Sequence, residues 1–146
     1  MPLPPRVVYA TADEYRQHFE QVYCRGPIIT FDGIPVTFNK SDFDHCMFES
    51  SKRDKNKDQF SVQRSERVDW IRETLTNPKA DLYQGWDKSK KRCDPASRVA
   101  VVYEEFVVVI RIYSGSSGGM RARFLTAYLA DNSIAKIRAM PRWVKK

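Results

Sequence analysis

Disulfide and metal chemistry have little to work with in this sequence. Its three cysteines, Cys24, Cys46 and Cys93, are odd in number and widely spaced, with no Cys-x-x-Cys pair and only two histidines, His18 and His45, beside them. That argues against a disulfide framework and against a structural zinc site. No metal and no cofactor is expected. Long apolar runs are also missing. The longest, Phe106 to Ile110, is far short of the about 20 residues a membrane span requires. The opening Met1-Pro-Leu-Pro-Pro-Arg6 sets prolines where a secretory signal needs an apolar helix. The expectation is a protein of the reducing cytoplasm with no membrane partner. The sequence contains no internal repeat.

What is present is basic charge and aromatic surface. Lys and Arg number 25 against 18 Asp and Glu, a net charge of +7, with 42% hydrophobic and 12% aromatic residues. A chain of 146 residues with that content can bury a core and is read as one domain, residues 1–146. The charge favours a polyanionic partner such as nucleic acid, by attraction and counterion release.

Residues 1–10 are Pro-rich and read as extended. Thr11 caps a first helix, and Glu14 completes a capping box. Tyr15, Phe19, Val22 and Tyr23 recur at helical spacing, and Gly26-Pro27 closes the segment. Two short apolar runs, 28–31 and 34–38, flank Asp32-Gly33. They read as a hairpin with a type I′ turn, and Pro35 confines its second strand to an edge or a bulge. Ser41 is a second N-cap, for a helix from Asp42 to Phe48 whose apolar stripe is Phe43, Cys46 and Met47. His45 projects off that stripe. Residues 51–59 are all polar and read as a loop. Ser61 caps a long third helix, Val62 to about Thr76, with Val68, Ile71 and Leu75 inward and Asn77-Pro78 as its stop.

The centre of the chain is Arg98–Asp131. Three β-branched and aromatic runs, 98–103, 106–113 and 121–130, are separated by Glu104-Glu105 and by the loop Ser114–Gly119, whose composition is that of a flexible linker. They read as three successive antiparallel strands. Residues 80–86 read as a short strand or extended segment. Asp131-Asn132-Ser133 caps a final helix, Ile134–Met140, and residues 141–146 form a basic tail. The expected class is α+β, with N-terminal helices on one face of a curved antiparallel sheet.

Side chains alternate along a strand. Phe106, Val108, Ile110 and Ile112 then share one face with Leu125, Ala127 and Leu129. Val107, Val109, Arg111 and Tyr113 share the other with Phe124, Thr126 and Tyr128. This needs a register with Val109 near Thr126 and Arg111 near Phe124. Such a face can stack bases and hold phosphate; it can equally be a sheet whose outer face tolerates polar residues. His45 has the chemistry of a general base for a ribose 2′-OH near neutral pH, or it is a surface histidine. Lys52, Arg53, Lys90, Lys91, Arg64, Arg98 and Tyr113 are candidate contacts to nucleic acid, the lysines being interchangeable loop charges.

Three stretches resemble the metal-independent ribonucleases of the barnase–EndoU–colicin–RelE superfamily, particularly phage- and prophage-encoded members. They are Asp42-Phe-Asp-His45-Cys-Met-Phe-Glu-Ser50, Phe60-Ser-Val-Gln-Arg64-Ser-Glu-Arg67-Val-Asp-Trp-Ile71 with Asn77-Pro78, and the strand pair 98–113 followed by Phe124-Leu-Thr126-Ala-Tyr128. The resemblance spans about residues 40–143. It implies helices on one face of a curved sheet, an active site on the open face, and a toxin-like endoribonuclease. Cleavage would proceed by 2′-OH attack, leaving a cyclic phosphate and a 5′-OH. It makes His45 the base and Arg111 or Arg67 the phosphate clamp. Thr126 becomes a hydrogen-bond donor to a phosphate oxygen, and Tyr128 a base-stacking or leaving-group residue. The substrate would be RNA, tRNA or mRNA, and an inhibitor or immunity protein would be a natural partner. A second matching histidine and a matching lysine are missing, which leaves the general acid open. Two other classes stay open: a non-catalytic RNA- or DNA-binding module using the same face, and a protein-interaction domain with incidental charge.

Overall fold

A computed structural model of the chain describes residues 3–49, 59–87, 91–114, 119–130 and 133–143. Lys52, Arg53 and Lys90, the polar run 51–58, the loop 115–118 and the cap residues Asp131 and Asn132 lie outside them. The fold is mixed α+β. Five helices accompany an open six-stranded sheet among the described residues.

Helix α1 is Ala12–Tyr23. Its start is the capping box the sequence spells: the Glu14 N–H donates to Thr11 Oγ1, and the Thr11 N–H donates to Glu14 Oε1 at 3.1 Å. Tyr15, Phe19 and Tyr23, one per turn, are its buried stripe. His18 is on the flank, where its ring nitrogens meet the Tyr9 hydroxyl at 2.9 Å and the Asp69 carboxylate at 2.7 Å. Strands β1 (Ile28–Ile29) and β2 (Pro35–Thr37) form the hairpin. Its turn is not type I′, which needs two left-handed residues; only Gly33, at φ 88°, is left-handed. Instead the Ile34 N–H donates to Thr30 Oγ1 and closes a longer connection.

Helix α2 is Asp42–Met47. Ser41 makes no side-chain cap here; it already has helical dihedrals. Asp42 instead reaches back and accepts the Asn39 N–H at 2.8 Å, tying the preceding loop to the helix start. A two-stranded ladder follows, β3 (Phe48–Glu49) with β4 (Gln59–Phe60), so Gln59 is paired strand rather than loop. The expected long third helix is two: α3 (Val62–Ser65), capped by Ser61 as expected, and α4 (Val68–Thr76). The break has visible causes. The Ser65 hydroxyl donates to the Ser61 carbonyl, the Val7 N–H donates to the Glu66 carbonyl at 2.7 Å, and Arg67 leaves the helical region at ψ 21°.

The remaining strands are β5 (Asp81–Asp87), β6 (Arg92–Tyr103), β7 (Phe106–Ser114) and β8 (Met120–Leu129), and the sheet order is β1-β2-β8-β7-β6-β5. The three central strands pair antiparallel as expected. The whole sheet does not: β2 runs parallel to β8, with Val36 opposite Ala122 and Thr37 opposite Arg123. Strand β2 is therefore interior, and Pro35 is tolerated because it opens the strand ahead of the parallel pairing.

Helices α1, α2 and α4 bury the first face. Phe19, Phe38, Phe43 and Phe124 meet there, with Phe38 stacked on Phe124 at 4.7 Å. The second face is only partly open. Helix α5 (Ile134–Arg138) crosses to it and seats Ile137 over Val102, Val107, Ala100 and Tyr83. Ser133 gives α5 no side-chain cap. Arg138 on α5 and Arg142 beyond it both reach Asp81, at 2.9 and 3.0 Å. The expected basic tail is, at residues 141–143, structural. Trp143 is buried, its N–H donates to the Leu82 carbonyl, and Pro141 accepts from Gln84. No helix among the described residues is long and apolar enough to cross a membrane.

Candidate nucleic-acid interface

The second sheet face is set by one irregularity. Val109 pairs with Thr126, as the sequence reading requires, but the next pair is Ile110 with Phe124, so Leu125 is a bulge. A bulge reverses side-chain parity beyond it. Thr126 and Tyr128 stay on the second face, while Phe124 swings to the first and is fully buried. The expected pairing of Arg111 with Phe124 is thereby corrected: Arg111 faces Arg123.

The consequence is a row of like charges. Arg98 pairs with Arg111, Arg111 with Arg123, and Arg123 with Thr37, across four adjacent strands. Partners directly opposite share a face, and neighbouring strands are about 4.8 Å apart. Tyr113, paired with Arg121, forms the next row out and is 45% exposed. Thr37, Asn39, Arg111, Tyr113 and Arg123 line a shallow depression of about 410 Å³. Arg123 is held in place: the Asn39 amide oxygen accepts from both its terminal nitrogens, at 3.2 and 2.8 Å, and the buried Asp42 carboxylate is 3.9 Å away. Among the described residues no carboxylate makes an ion pair with Arg98 or Arg111. Like charges set directly opposite one another disfavour the sheet, so this row costs stability in the absence of an anion.

Helix α2 lies along the β8 edge beside this row. Asp42 is against Arg123, and four residues on, Cys46 Sγ donates to the Ala127 carbonyl at 3.4 Å. His45 lies between these anchors on the helix. At about 100° per residue it projects about 60° from Asp42, on the side away from the buried Phe43. It is exposed, as its position off the apolar stripe predicts.

Around the same edge is a smaller cleft of about 160 Å³ lined by Cys46, Gln63, Arg64, Arg67, Tyr128 and others. Both arginines are engaged. Arg64 donates to the Cys46 carbonyl at 3.1 Å; Arg67 donates to the Gln63 carbonyl at 2.6 Å and lies over the Trp70 ring. Arg67 Nε is buried without a partner among the described residues. Burial pushes the Tyr128 hydroxyl above its ordinary pKa against an opposing pull from Arg64, which favours the neutral phenol.

The predicted residues thus fall into two groups joined at Tyr128. Arg98, Arg111, Tyr113, Thr126 and Tyr128 share the second face, and His45 is exposed on α2. Arg64 and Arg67 share the edge cleft with Tyr128 and are separate from Arg111. Lys91 is exposed in the turn before β6, at φ 53°. Strict alternation from Thr126 hid Arg121, Arg123 and their supports Thr37 and Asn39. The one available signal was the alternation of Arg121, Ala122, Arg123 and Phe124 itself, which puts arginines opposite a small and an aromatic residue. Comparison of the chain with protein-family models, with curated proteins and with solved structures returns no match.

Proposed function

We propose that this protein binds RNA on the arginine-bearing half of its second sheet face and cleaves it without a metal, as a toxin-like endoribonuclease. The resemblance to the barnase–EndoU–colicin–RelE ribonucleases supports the same reading. The observation that carries it is the row of aligned arginines, Arg98, Arg111 and Arg123, with helix α2, which bears His45, anchored on β8 at Arg123 and Ala127.

The residues suit a transesterification. Neutral His45 takes the proton of a ribose 2′-OH as that oxygen attacks the adjacent phosphorus. Arg111 and Arg123 offset the charge that builds on the non-bridging oxygens, and Thr126 donates to one of them. The bond from phosphorus to the 5′-oxygen breaks, and the leaving oxygen takes a proton from the Tyr128 phenol. The products are a 2′,3′-cyclic phosphate and a 5′-OH. Arg67 is the weaker choice of clamp, because a backbone carbonyl and the Trp70 ring already hold it.

The test is RNA cleavage in EDTA, with end-group analysis. Cyclic phosphate ends and loss of cleavage in His45→Ala are the expected result. RNA that is bound and survives with wild-type protein defeats the nuclease reading. It favours the second one, a non-catalytic RNA- or DNA-binding module, for which the aligned arginines are sufficient.

A further inference from the structure

We propose that the row Arg123–Arg111–Arg98 is a track for the backbone of single-stranded RNA, crossing the strands at right angles from β8 toward β5. This rests on the RNA reading above and adds the form of the substrate and its path. Three guanidinium-bearing positions on adjacent strands span about 10 Å, the reach of about two or three nucleotides of an extended strand. The row has an edge on each side. On one, α5 stands over Val102, Val107 and Val109; on the other are Tyr113 and Arg121. The floor between is one backbone wide. Exposed Tyr113 offers a stacking surface that only an unpaired base can use.

The far end of the track is seated by a glycine. Arg98 lies against Gly85 of β5, where the ladder to β6 slips its register. A Cβ at Gly85 would come 3.0 Å from Arg98 Cβ and 3.1 Å from Cγ, tight enough that the arginine stem would have to shift by a few tenths of an ångström. The missing side chain lets the arginine stem lie down on the neighbouring strand. The near end is fixed by Asn39 and Asp42 around Arg123, Asp42 being the first residue of the helix that carries His45. An RNA strand on the row therefore starts at the reacting edge and leads away from it. Cleavage should demand nucleotides on one side of the scissile bond only.

The experiment uses fluorescence anisotropy with a 2′-O-methyl octanucleotide, which cannot be cleaved, offered single-stranded and as a duplex, over a salt series. The expected result is tighter binding of the single strand. Arg98→Gln and Arg111→Gln should each weaken it about tenfold and lower the salt slope by about 0.7, the value for one phosphate contact on a single strand. Gly85→Ala should weaken binding in the same direction with no change of charge. Lys136→Gln, an exposed charge on α5, should stay within twofold, and circular dichroism reports folding of each variant. Duplex bound as tightly as single strand, or Arg98→Gln and Arg111→Gln within twofold of a wild type that binds RNA, overturns the track while leaving RNA binding intact. Wild type that binds neither form overturns the RNA reading with it.

Discussion

The two halves of the second sheet face are continuous in backbone and opposite in chemistry. Where Ala100, Val102 and Val107 point outward, α5 covers them and Val107 is fully buried. Two to four residues along the same strands the outward positions are Arg98 and Arg111, with Arg123 beside them on β8, and among the described residues no helix packs over them. The covered half is arranged as a core is, apolar and closed. The bare half is arranged against stability, with like charges aligned. A sheet that carries such a row has a use for the charge, and the roof marks where that use stops.

The largest effect should come from the proposed base. His45→Ala is expected to lower RNA cleavage about 10²- to 10⁴-fold, the usual worth of a general base, with an unchanged unfolding midpoint. Retained cleavage would place the base elsewhere. The covered half should respond in the opposite sense. Ile137→Ala opens a hole under α5 and should cost about 2–4 kcal/mol in urea unfolding, while RNA affinity of the folded fraction holds. A change confined to affinity would mean that α5 belongs to the binding site and not to the core.

A smaller effect sharpens the contrast most. Arg111→Gln relieves both of its like-charged neighbours and should raise stability by about 0.2–1 kcal/mol in low salt, while RNA binding falls. A loss of both would show that Arg111 is an ordinary structural residue. The smallest effect concerns the roof's anchor. Burial pushes the Asp81 carboxyl up, but hydrogen bonds from Arg138 and Arg142 outweigh it and hold the pKa below its ordinary 3.8. A folded-state pKa below the unfolded one stabilises above the unfolded value and is lost as pH falls through the folded value. The wild type should therefore lose slightly more stability than Asp81→Asn between about pH 4 and the lowered value. Asp81 is partly exposed, and screening keeps this contribution small. Parallel pH profiles for the two proteins would remove the anchor from the account.

Local rules were legible where one residue's neighbours in the chain decide its state. Thr11 and Glu14 build a capping box from four consecutive residues, and Phe43, Cys46 and Met47 are buried as the helical period demands. The faces of β7 followed from alternation alone. The site was legible in part. Arg111, Tyr113, Thr126 and Tyr128 share one face as alternation required, yet Arg123, which binds α2 to the arginine row, was invisible. Its visibility depended on Leu125, and nothing in Phe124-Leu125-Thr126 says that one residue will be skipped.

The sequence by itself determined the helix caps at Thr11 and Ser61, the three central strands, their antiparallel order and the burial of β7, because each rests on contacts between residues near in the chain or on a fixed side-chain period. Tertiary structure alone decided the parallel docking of β2 on β8, the crossing of α5 to the second face and the bulge at Leu125. Those are choices of register between distant segments, settled by which arrangement buries Phe38 on Phe124 and Ile137 on Val107 together. That settlement turned two scattered arginines into a row of three.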